Sequence, residues 1–419
     1  MRVLVIGGGG REHALAATLV RDPEVESLHV APGNPGISAV ADLHDVDALD
    51  PAAVTALARR LDADLVVVGP EAPLVAGVAD AVREAGIDCF GPSRTAAAIE
   101  GSKAFAKDVM TAAGIPTALA RVCESAAEVA EALEVFGPPY VVKDDGLAAG
   151  KGVVVTDDRA RAAAHAQACG RVVVEDYLDG PEVSLFAICD GSTVLAMQPA
   201  QDFKRLLDGD AGPNTGGMGA YTPVHGAPDG LIEEVTRRVL QPAVDELARR
   251  DAAFVGLLYA GLALTSRGVQ VVEFNARFGD PETQALLGLL DSPLGQVLAA
   301  AAARGGLADV GPLRWKPGAA VTVVMSAAGY PESPRSGDAI TGIEAAERLD
   351  GVHVFHAGTT TGPDGLVTSG GRVLAVTATG PDVAAARASA YRGVQRVSFA
   401  GAHYRTDIAA PQHPAEQVR

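Results

Sequence analysis

Four short aliphatic runs, VLVIG, LHVAP, LVVVGP and IDCFGP, recur between Arg2 and Gly91, separated by segments with helical spacing such as PAAVTALARR. Strand, helix and strand in alternation, with apolar runs this short, is the pattern of a parallel sheet covered by helices. The first run leads into GGGGREHA, so a strand is expected to pass through a glycine turn into a helix. The first backbone amides of such a helix, reinforced by its dipole, can hold a phosphate. A dinucleotide fold is the obvious comparison, and the spacing opposes it. Counting GxGxxG from Gly7 puts Glu12 at the last glycine, and counting from Gly8 puts His13 there. The second strand, LHVAPGNPG, also lacks the acid that would bind a nicotinamide ribose. A phosphate-bearing substrate at Gly9, Gly10, Arg11 and Glu12 remains the expectation for this turn. Glu71, in GPEAPL, follows the third run, outside the carboxyl end of a strand where open α/β sheets bind ligands. A surface acid on a Pro-containing turn is the alternative.

At 419 residues the chain exceeds one ordinary core, and roughly two to four packed units are expected. The pattern turns helical through GPSRTAAAIEGSKAFAKDVMTAAGIP and stops at Gly114 and Pro116, which places a first boundary near Glu100. From Thr117 to about Leu185, VVKDDGLAAGKGVVV reads as two strands joined by a Gly-rich loop, followed by an Ala-rich helix and RVVVEDYLDG. This is a small α+β lid interrupting a larger body whose strands resume at EVSLFAICDGSTVLAMQPAQDFKR. After Gly305, GAAVTVVMSAAGYP, HAGTT, GGRVLAVTATG and a helix at DVAAARASAYRGVQRV suggest a third unit built on an antiparallel sheet.

The net charge of -18 argues against nucleic acid or an anionic membrane as partner, so any anionic substrate needs locally placed cations. Cys89, Cys123, Cys169 and Cys189 are far apart and form no CxxC or Cys/His cluster, which leaves them as small hydrophobic fillers. MRVLVIGGGG offers too short an apolar stretch for a signal peptide or membrane span, so a cytoplasmic enzyme is expected.

No GxxxxGK[ST] occurs, because Gly146 to Lys151 is one residue short and Gly152 replaces the hydroxyl. Lys143 ends a strand and Lys151 closes the DGLAAGKG loop, so two ammonium groups flank a turn able to fold over phosphate oxygens; a glycine-rich hairpin with solvated lysines is the alternative. In RVVVEDYLDGPEVS, Glu175, Asp176, Tyr177 and Leu178 form an extended hinge that can offer backbone groups to a purine edge while Glu182 takes ribose hydroxyls; taken alone, an edge strand with solvated acids is the stronger reading. VVEFNARFGDPETQ is more decisive. Glu273 and Asn275 are two apart on a strand, so a carboxylate and an amide oxygen share a face as hard ligands for magnesium, and Arg277 continues that face toward a phosphate or carboxylate.

With these residues in view, the chain resembles the phosphoribosylamine-glycine ligases, or glycinamide ribonucleotide synthetases, of the ATP-grasp superfamily. The resemblance runs through GGGGREHA, APGNPG, VGPEAPL, FGPS, EGSKAF, KDDGLAAGKG, QDFKR, GPNTGGMGAYTP, FVGLLYAGL, EFNARFGDPETQ, HAGT and GGRVLAVTA, in the family's order and over nearly the full length. GPNTGGMGAY and RFGDPETQ are the blocks most particular to this family within the superfamily. Gly8 stands where the family usually has Asn, Asp144 makes KDDG of KADG, and the stretch through HAQACG is shorter than in many members. None of these departures removes a cationic or metal-binding side chain.

The resemblance implies an α/β protein: a doubly wound parallel-sheet domain over 1–101, an ATP-grasp domain over 102–312 with its lid inserted at about 117–187, and an α+β domain over 313–419. It implies ATP and Mg2+ or Mn2+, with Lys103, Lys143, Gly146, Lys151 and Gly152 on the phosphates, Glu175 to Leu178 and Glu182 on the adenosine, and Glu273 with Asn275 on the metal. The reaction implied is ligation of glycine to 5-phosphoribosylamine through a glycyl phosphate, by a monomer or weak homo-oligomer. Phosphoryl transfer asks for positioning and charge neutralisation rather than a nucleophilic side chain, which agrees with the absence of GxSxG or a Cys/His signature. Arg277, Lys204 and Asp202 are the expected catalytic groups, and Asn214, Gly216, Gly217 and Met218 the expected substrate loop, although Met218 also suits packing. Asp280, Pro281 and Glu282 are expected at glycine's ammonium or the ribose, with capping of the following helix as the alternative for the two acids. Another ATP-grasp carboxylate-amine ligase of purine synthesis is the alternative function. It would share the lysines and the Glu/Asn pair but not GPNTGGMGAY or RFGDPETQ.

Overall fold

In the computed structural model, which describes residues 1–146 and 152–411, the first four aliphatic runs form parallel strands as their pattern dictates. The sheet runs in the order Asp42–Leu43, Ser27–Pro32, Arg2–Gly7, Leu65–Val68 and Asp88–Phe90. Its order reverses beside Arg2–Gly7, which makes the carboxyl ends of that strand and Leu65–Val68 a crevice, the usual ligand position in such sheets. Both faces of the sheet are buried in different cores. Leu4 and Val66 join one cluster with Leu185 and Leu258, while Val3 and Val5 join another with Phe186 and Leu257. The N-terminal sheet and the central antiparallel sheet (Val194–Ala196, Glu182–Asp190, Val255–Thr265, Gly268–Asn275) therefore share their interiors and form one rigid platform.

The lid is a separate four-stranded antiparallel sheet in the order Ala120–Cys123, Val172–Glu175, Tyr140–Asp144 and Val153–Thr156, backed by helices Ala126–Phe136 and Arg159–Cys169. Its core of Cys123, Val129, Leu133, Val142 and Val174 belongs to no other cluster. The lid sheet ends at Glu175, and Glu182–Asp190 already belongs to the central sheet, so the lid is shorter than the 117–187 span expected from the sequence. A strand buried along nearly its whole length reads as a continuous apolar run in either unit, which is why periodicity placed the limit too late.

The third sheet is antiparallel, in the order Gln201–Asp202, Gly219–Thr222, Ala319–Ser326, Arg372–Gly380 and Val352–His356. It is not confined to 313–419, because two of its strands come from within the expected 102–312 unit. They lie within the QDFKR and GMGAYT blocks, so candidate substrate residues sit on the seam between the central and C-terminal sheets. Three of the four cysteines are buried and free, and Cys169 is partly exposed.

The glycine turn after the first strand is closed from within. Helix Gly10–Leu19 begins with half of a capping box: Gly9 at the N-cap has no side chain to offer, but the Glu12 carboxylate accepts from Gly9 N at 2.6 Å. Its other oxygen accepts from Arg11 Nε at 2.5 Å. Gly69, at the end of the neighbouring strand, leaves room for that carboxylate: a Cβ there would stand 2.1 Å from Glu12 Oε1. The C-terminal unit docks on the same turn. Asn34 Nδ2 donates to Gly8 O at 2.9 Å and His356 O at 2.8 Å, and His356 N donates to His13 Nδ1 at 2.8 Å. Burial, with His356 beside it, lowers His13 to about 3, so the ring stays neutral and can accept.

Gly69→Ala is expected to displace the Glu12 carboxylate, break its bond to Gly9 N and cost about 1–3 kcal/mol in urea unfolding. An unchanged denaturation midpoint would show that the turn tolerates the methyl group.

Candidate active site

The helix Lys103–Ala112 starts at Ser102, whose hydroxyl accepts from Phe105 N at 3.1 Å. Lys103 and Lys107 are four residues apart and share a face. With Glu100, Lys143, Glu175 and Glu273 they line a narrow cavity between helix, lid and strand Gly268–Asn275. Glu175 is buried with two cations: Lys143 pairs with one oxygen and Lys107 with the other, at 2.6 Å. Burial alone would raise this carboxyl, and Lys143 and Lys107 hold it below its ordinary value instead. Lys143 Nζ also donates to Val272 O at 3.0 Å. Asp145 ties the lid to the helix start, accepting from Ser102 Oγ at 2.9 Å and Ala104 N at 3.0 Å. Gly146 and Gly152 flank the rest of that loop, and Lys151 lies outside the described residues.

Beyond the lid, Asp176–Leu178 belongs to no strand. Asp176 N donates to Leu119 O at 2.9 Å and its carboxylate pairs with Arg267 at 3.2 Å, while Tyr177 is exposed.

Glu273 and Asn275 end their strand as half-buried residues on one face. Neither side chain takes part in a hydrogen bond or ion pair among the described residues. Burial opposes the charge on Glu273, yet Lys204, Lys103, Lys143 and Arg277 hold its carboxyl below the ordinary value. A carboxylate kept ionised without a bonded partner, two residues from an unpartnered amide, is a donor set that fits a hard divalent cation completed by phosphate oxygens. The protein donors alone do not make a site, since no group of three His, Cys, Asp or Glu side chains gathers around a common point among the described residues.

Arg277 meets carboxylates of the protein itself, pairing with Glu71 and Glu100 at 3.2 Å each. Glu100 also accepts from Ala276 N at 2.7 Å. Burial raises Glu100 in spite of Arg277, whereas at Glu71 the effect of Arg277 and Arg11 exceeds that of burial and the carboxyl is lowered. Glu71 thus reaches the site from the crevice of the N-terminal sheet.

Glu182, expected at the ribose, instead pairs with Lys204. Asp202 belongs to the same group, and burial, with Glu282 and Glu182 nearby, raises it to about 7 although Lys204 opposes the shift. Glu282 opens helix Glu282–Leu289 without capping it by a side-chain bond. Its carboxylate accepts from Tyr259 Oη at 2.8 Å and Ser184 Oγ at 3.3 Å. Glu12 and Arg11 are likewise occupied internally, the latter donating to Phe278 O at 3.0 Å, so the glycine turn presents backbone rather than these side chains. Met218 is fully buried and serves as a core spacer.

The two blocks most particular to the resemblance touch. Gly217 has φ +108°, and a Cβ on it would stand 2.5 Å from Pro281 Cδ, so only glycine lets the loop seat on Asp280–Pro281. Arg372, from the third sheet, fastens the contact by donating to Asp280 O at 2.6 Å, to Gly216 O, and by pairing with Asp280 Oδ2 at 3.5 Å. Gly216 N donates to Tyr330 Oη at 2.9 Å, and Asn214 closes a hairpin opposite Arg205. Asp280 also accepts from Arg11 N at 3.3 Å and Gln284 Nε2 at 2.9 Å. Against the penalty of burial, Arg372 and Arg11 keep it below the ordinary carboxyl value. Glu100, Lys107, Tyr259 and Arg372 are the members that sequence reading missed. Only Lys107 carried a local signal, its spacing of one turn from Lys103.

Residues 1–100, 101–283 and 320–411 match the N domain, the ATP-grasp (A) domain and the C domain of phosphoribosylglycinamide synthetase. The chain belongs to the phosphoribosylglycinamide synthetase family. Among relatives of this family member, the phosphoribosylamine–glycine ligase of Streptomyces coelicolor is 66% identical over 412 residues, covering 98% of this chain and 99% of that protein. The ligase of the same name from Mycobacterium tuberculosis is 58% identical, with 97% of each chain covered. The crystal structure of phosphoribosylamine–glycine ligase from Thermotoga maritima superposes with a TM-score of 0.84 at 33% identity, covering 97% of this chain and 100% of that one. No helix among the described residues is long and apolar enough to cross a membrane.

Asp202 generates a test of the ligand-free site. The folded protein retains a proton there up to about 7, which the unfolded chain releases near the ordinary 3.8. Stability linked to this group therefore falls as pH rises between those values. Asp202→Asn should flatten that part of the thermal-stability profile, and an unaltered slope would remove Asp202 as its source.

Proposed function

We infer that this ATP-dependent ligase joins glycine to 5-phosphoribosylamine, giving glycinamide ribonucleotide, ADP and phosphate in purine synthesis. The observation carrying this reading is the contact of the GPNTGGMGAY loop with Asp280–Pro281 under Arg372, beside the glycine turn. It supplies a polar seat where three units meet, with Asp280 three residues along the chain from Arg277, which pairs with Glu100 on the wall of the cavity lined by lysines.

ATP lies between lid and platform in this reading, with Lys103, Lys143 and Lys151 toward its phosphates and Asp176–Leu178 beside the purine. Glu273 and Asn275 would hold Mg2+ or Mn2+, which when bound neutralises charge on the transferred phosphoryl group. A carboxylate is a poor acylating agent because its leaving group would be oxide. Glycine's carboxylate oxygen therefore attacks the terminal phosphorus of ATP, ADP leaves, and glycyl phosphate forms. The amine of phosphoribosylamine then attacks the acyl carbon, phosphate leaves, and the nitrogen loses a proton, for which Asp202 is the candidate acceptor. Lys204 and Arg277 balance charge on the phosphoryl group as Glu182, Glu71 and Glu100 give way. Gly9, Gly10, Asn214, Gly216 and Gly217 offer backbone and amide groups to the sugar phosphate, and Asp280 offers a carboxylate to an ammonium. An acyl phosphate hydrolyses in water, so the lid and the Gly212–Gly219 loop close over it. The enzyme works in the cytoplasm as a monomer or weak homo-oligomer.

Sustained ADP formation is expected only with MgATP, glycine and phosphoribosylamine together. Equal turnover with other amino acids in place of glycine would overturn the substrate assignment. Glu273→Ala should lower ligation by about 10³-fold or more while circular dichroism and thermal midpoint stay near wild type, and retained turnover would remove Glu273 from the metal site.

A further inference from the structure

The chain enters the lid through Thr117 and Ala118 and leaves it after Glu175, and a single side chain touches both crossings. Lys107, on the platform helix Lys103–Ala112, donates to Thr117 Oγ1 at 2.9 Å and Ala118 O at 3.1 Å. It also pairs with Glu175 Oε2 at 2.6 Å. The second oxygen of Glu175 pairs with Lys143, on lid strand Tyr140–Asp144, and that ammonium also reaches Val272 O on the platform. Glu175 and Lys143 are buried, and Lys107 is nearly so. One buried carboxylate is thus shared by one ammonium from the platform and one from the lid.

The two cations are not equivalent. Both line the cavity shared with Lys103 and Glu273, but Lys107 is fixed by two further hydrogen bonds to the hinge and Lys143 by one, to Val272 O. If Lys143 were the only cation on Glu175, turning to a phosphate would leave a buried carboxylate without a partner, which is strongly disfavoured. A second cation removes that penalty. We propose that Lys107 is a positioning residue for the nucleotide, neutralising Glu175 and pinning both lid crossings so that Lys143 can turn to the phosphates. This rests on the reading of Lys143 as a phosphate ligand.

The test is MgADP binding by titration calorimetry on the full chain, with steady-state KM values for ATP and glycine. Lys107→Met is expected to weaken MgADP and raise the KM for ATP by about tenfold, with the KM for glycine within about twofold of wild type. Adding Glu175→Gln to Lys107→Met should restore MgADP affinity to within about twofold of Glu175→Gln alone, because Lys143 no longer has a charge to hold it back. A Lys107→Met protein with unchanged affinity overturns the proposal. So does a double variant that binds no better than Lys107→Met. If Lys107→Met does not fold, Glu175→Gln and the double variant decide the matter: equal affinities uphold the positioning role, and a much weaker double variant overturns it. Lys143→Met separates the underlying reading, since unchanged MgADP affinity there removes Lys143 from the phosphates and the proposal with it.

Discussion

Asp280 is the point at which three separately built sheets are held in register. Its carbonyl and carboxylate both take Arg372 from the C-terminal sheet, while the same carboxylate accepts from Arg11 N in the first turn of the helix that follows the first parallel strand. Pro281 beside it receives Gly217 from the loop between the two strands that the C-terminal sheet borrows. A shift of any one sheet would leave a partly buried guanidinium or carboxylate incompletely paired, so the charges that bind the units together also fix their geometry. Loop residues far apart in the chain acquire fixed positions only through this junction.

The distribution of cores sets what can move. The N-terminal and central sheets share two apolar clusters, and the C-terminal sheet is fastened to them by polar contacts from Asn34, His13 and Arg372. The lid keeps its own core and meets the platform chiefly through polar groups: Lys107 at the hinge, Asp145 at Ser102, and Lys143 at Val272. Polar contacts exchange partners at less cost than an apolar interface separates, because water or phosphate can replace each lost bond. A lid attached this way can open for a nucleotide and close again without disturbing the cores on either side.

The parallel sheet was legible because its strands are short apolar runs with glycine at their ends, and Glu273 with Asn275 because alternation along a strand is strictly local. Family resemblance supplied the candidates for nucleotide and substrate, and the structure shows how many of their side chains are already engaged. Glu12 was read as a ligand for substrate because it follows a glycine turn, yet that same turn makes it a capping residue. Glu182 was read at the ribose and lies on Lys204. Arg372 and Tyr259 could not be found, since their partners Asp280 and Glu282 are distant in sequence or on another element and neither residue type is unusual in a strand. Lid and third-sheet limits failed for a related reason: strand pairing assigns a buried strand to its sheet, and pairing is long-range.

An acidic chain that handles anionic substrates must also keep its few cations from repelling one another before those substrates arrive. Among the described residues of the site, all but Lys103 are matched to a carboxylate: Lys143 and Lys107 to Glu175, Lys204 to Glu182, Arg277 to Glu71 and Glu100, Arg372 to Asp280. These acids stand where phosphate or substrate oxygens would otherwise be needed to balance charge. Binding then becomes an exchange of one anion for another rather than desolvation of a bare cation, and its net cost is set by what each displaced carboxylate can do next. Glu182 is half exposed and can be hydrated, whereas Glu175 is buried and cannot. Glu100 is buried too, but burial raises its carboxyl so that it can take a proton, whereas Glu175 is held ionised by its two lysines and needs the second cation, which Lys107 supplies from the hinge.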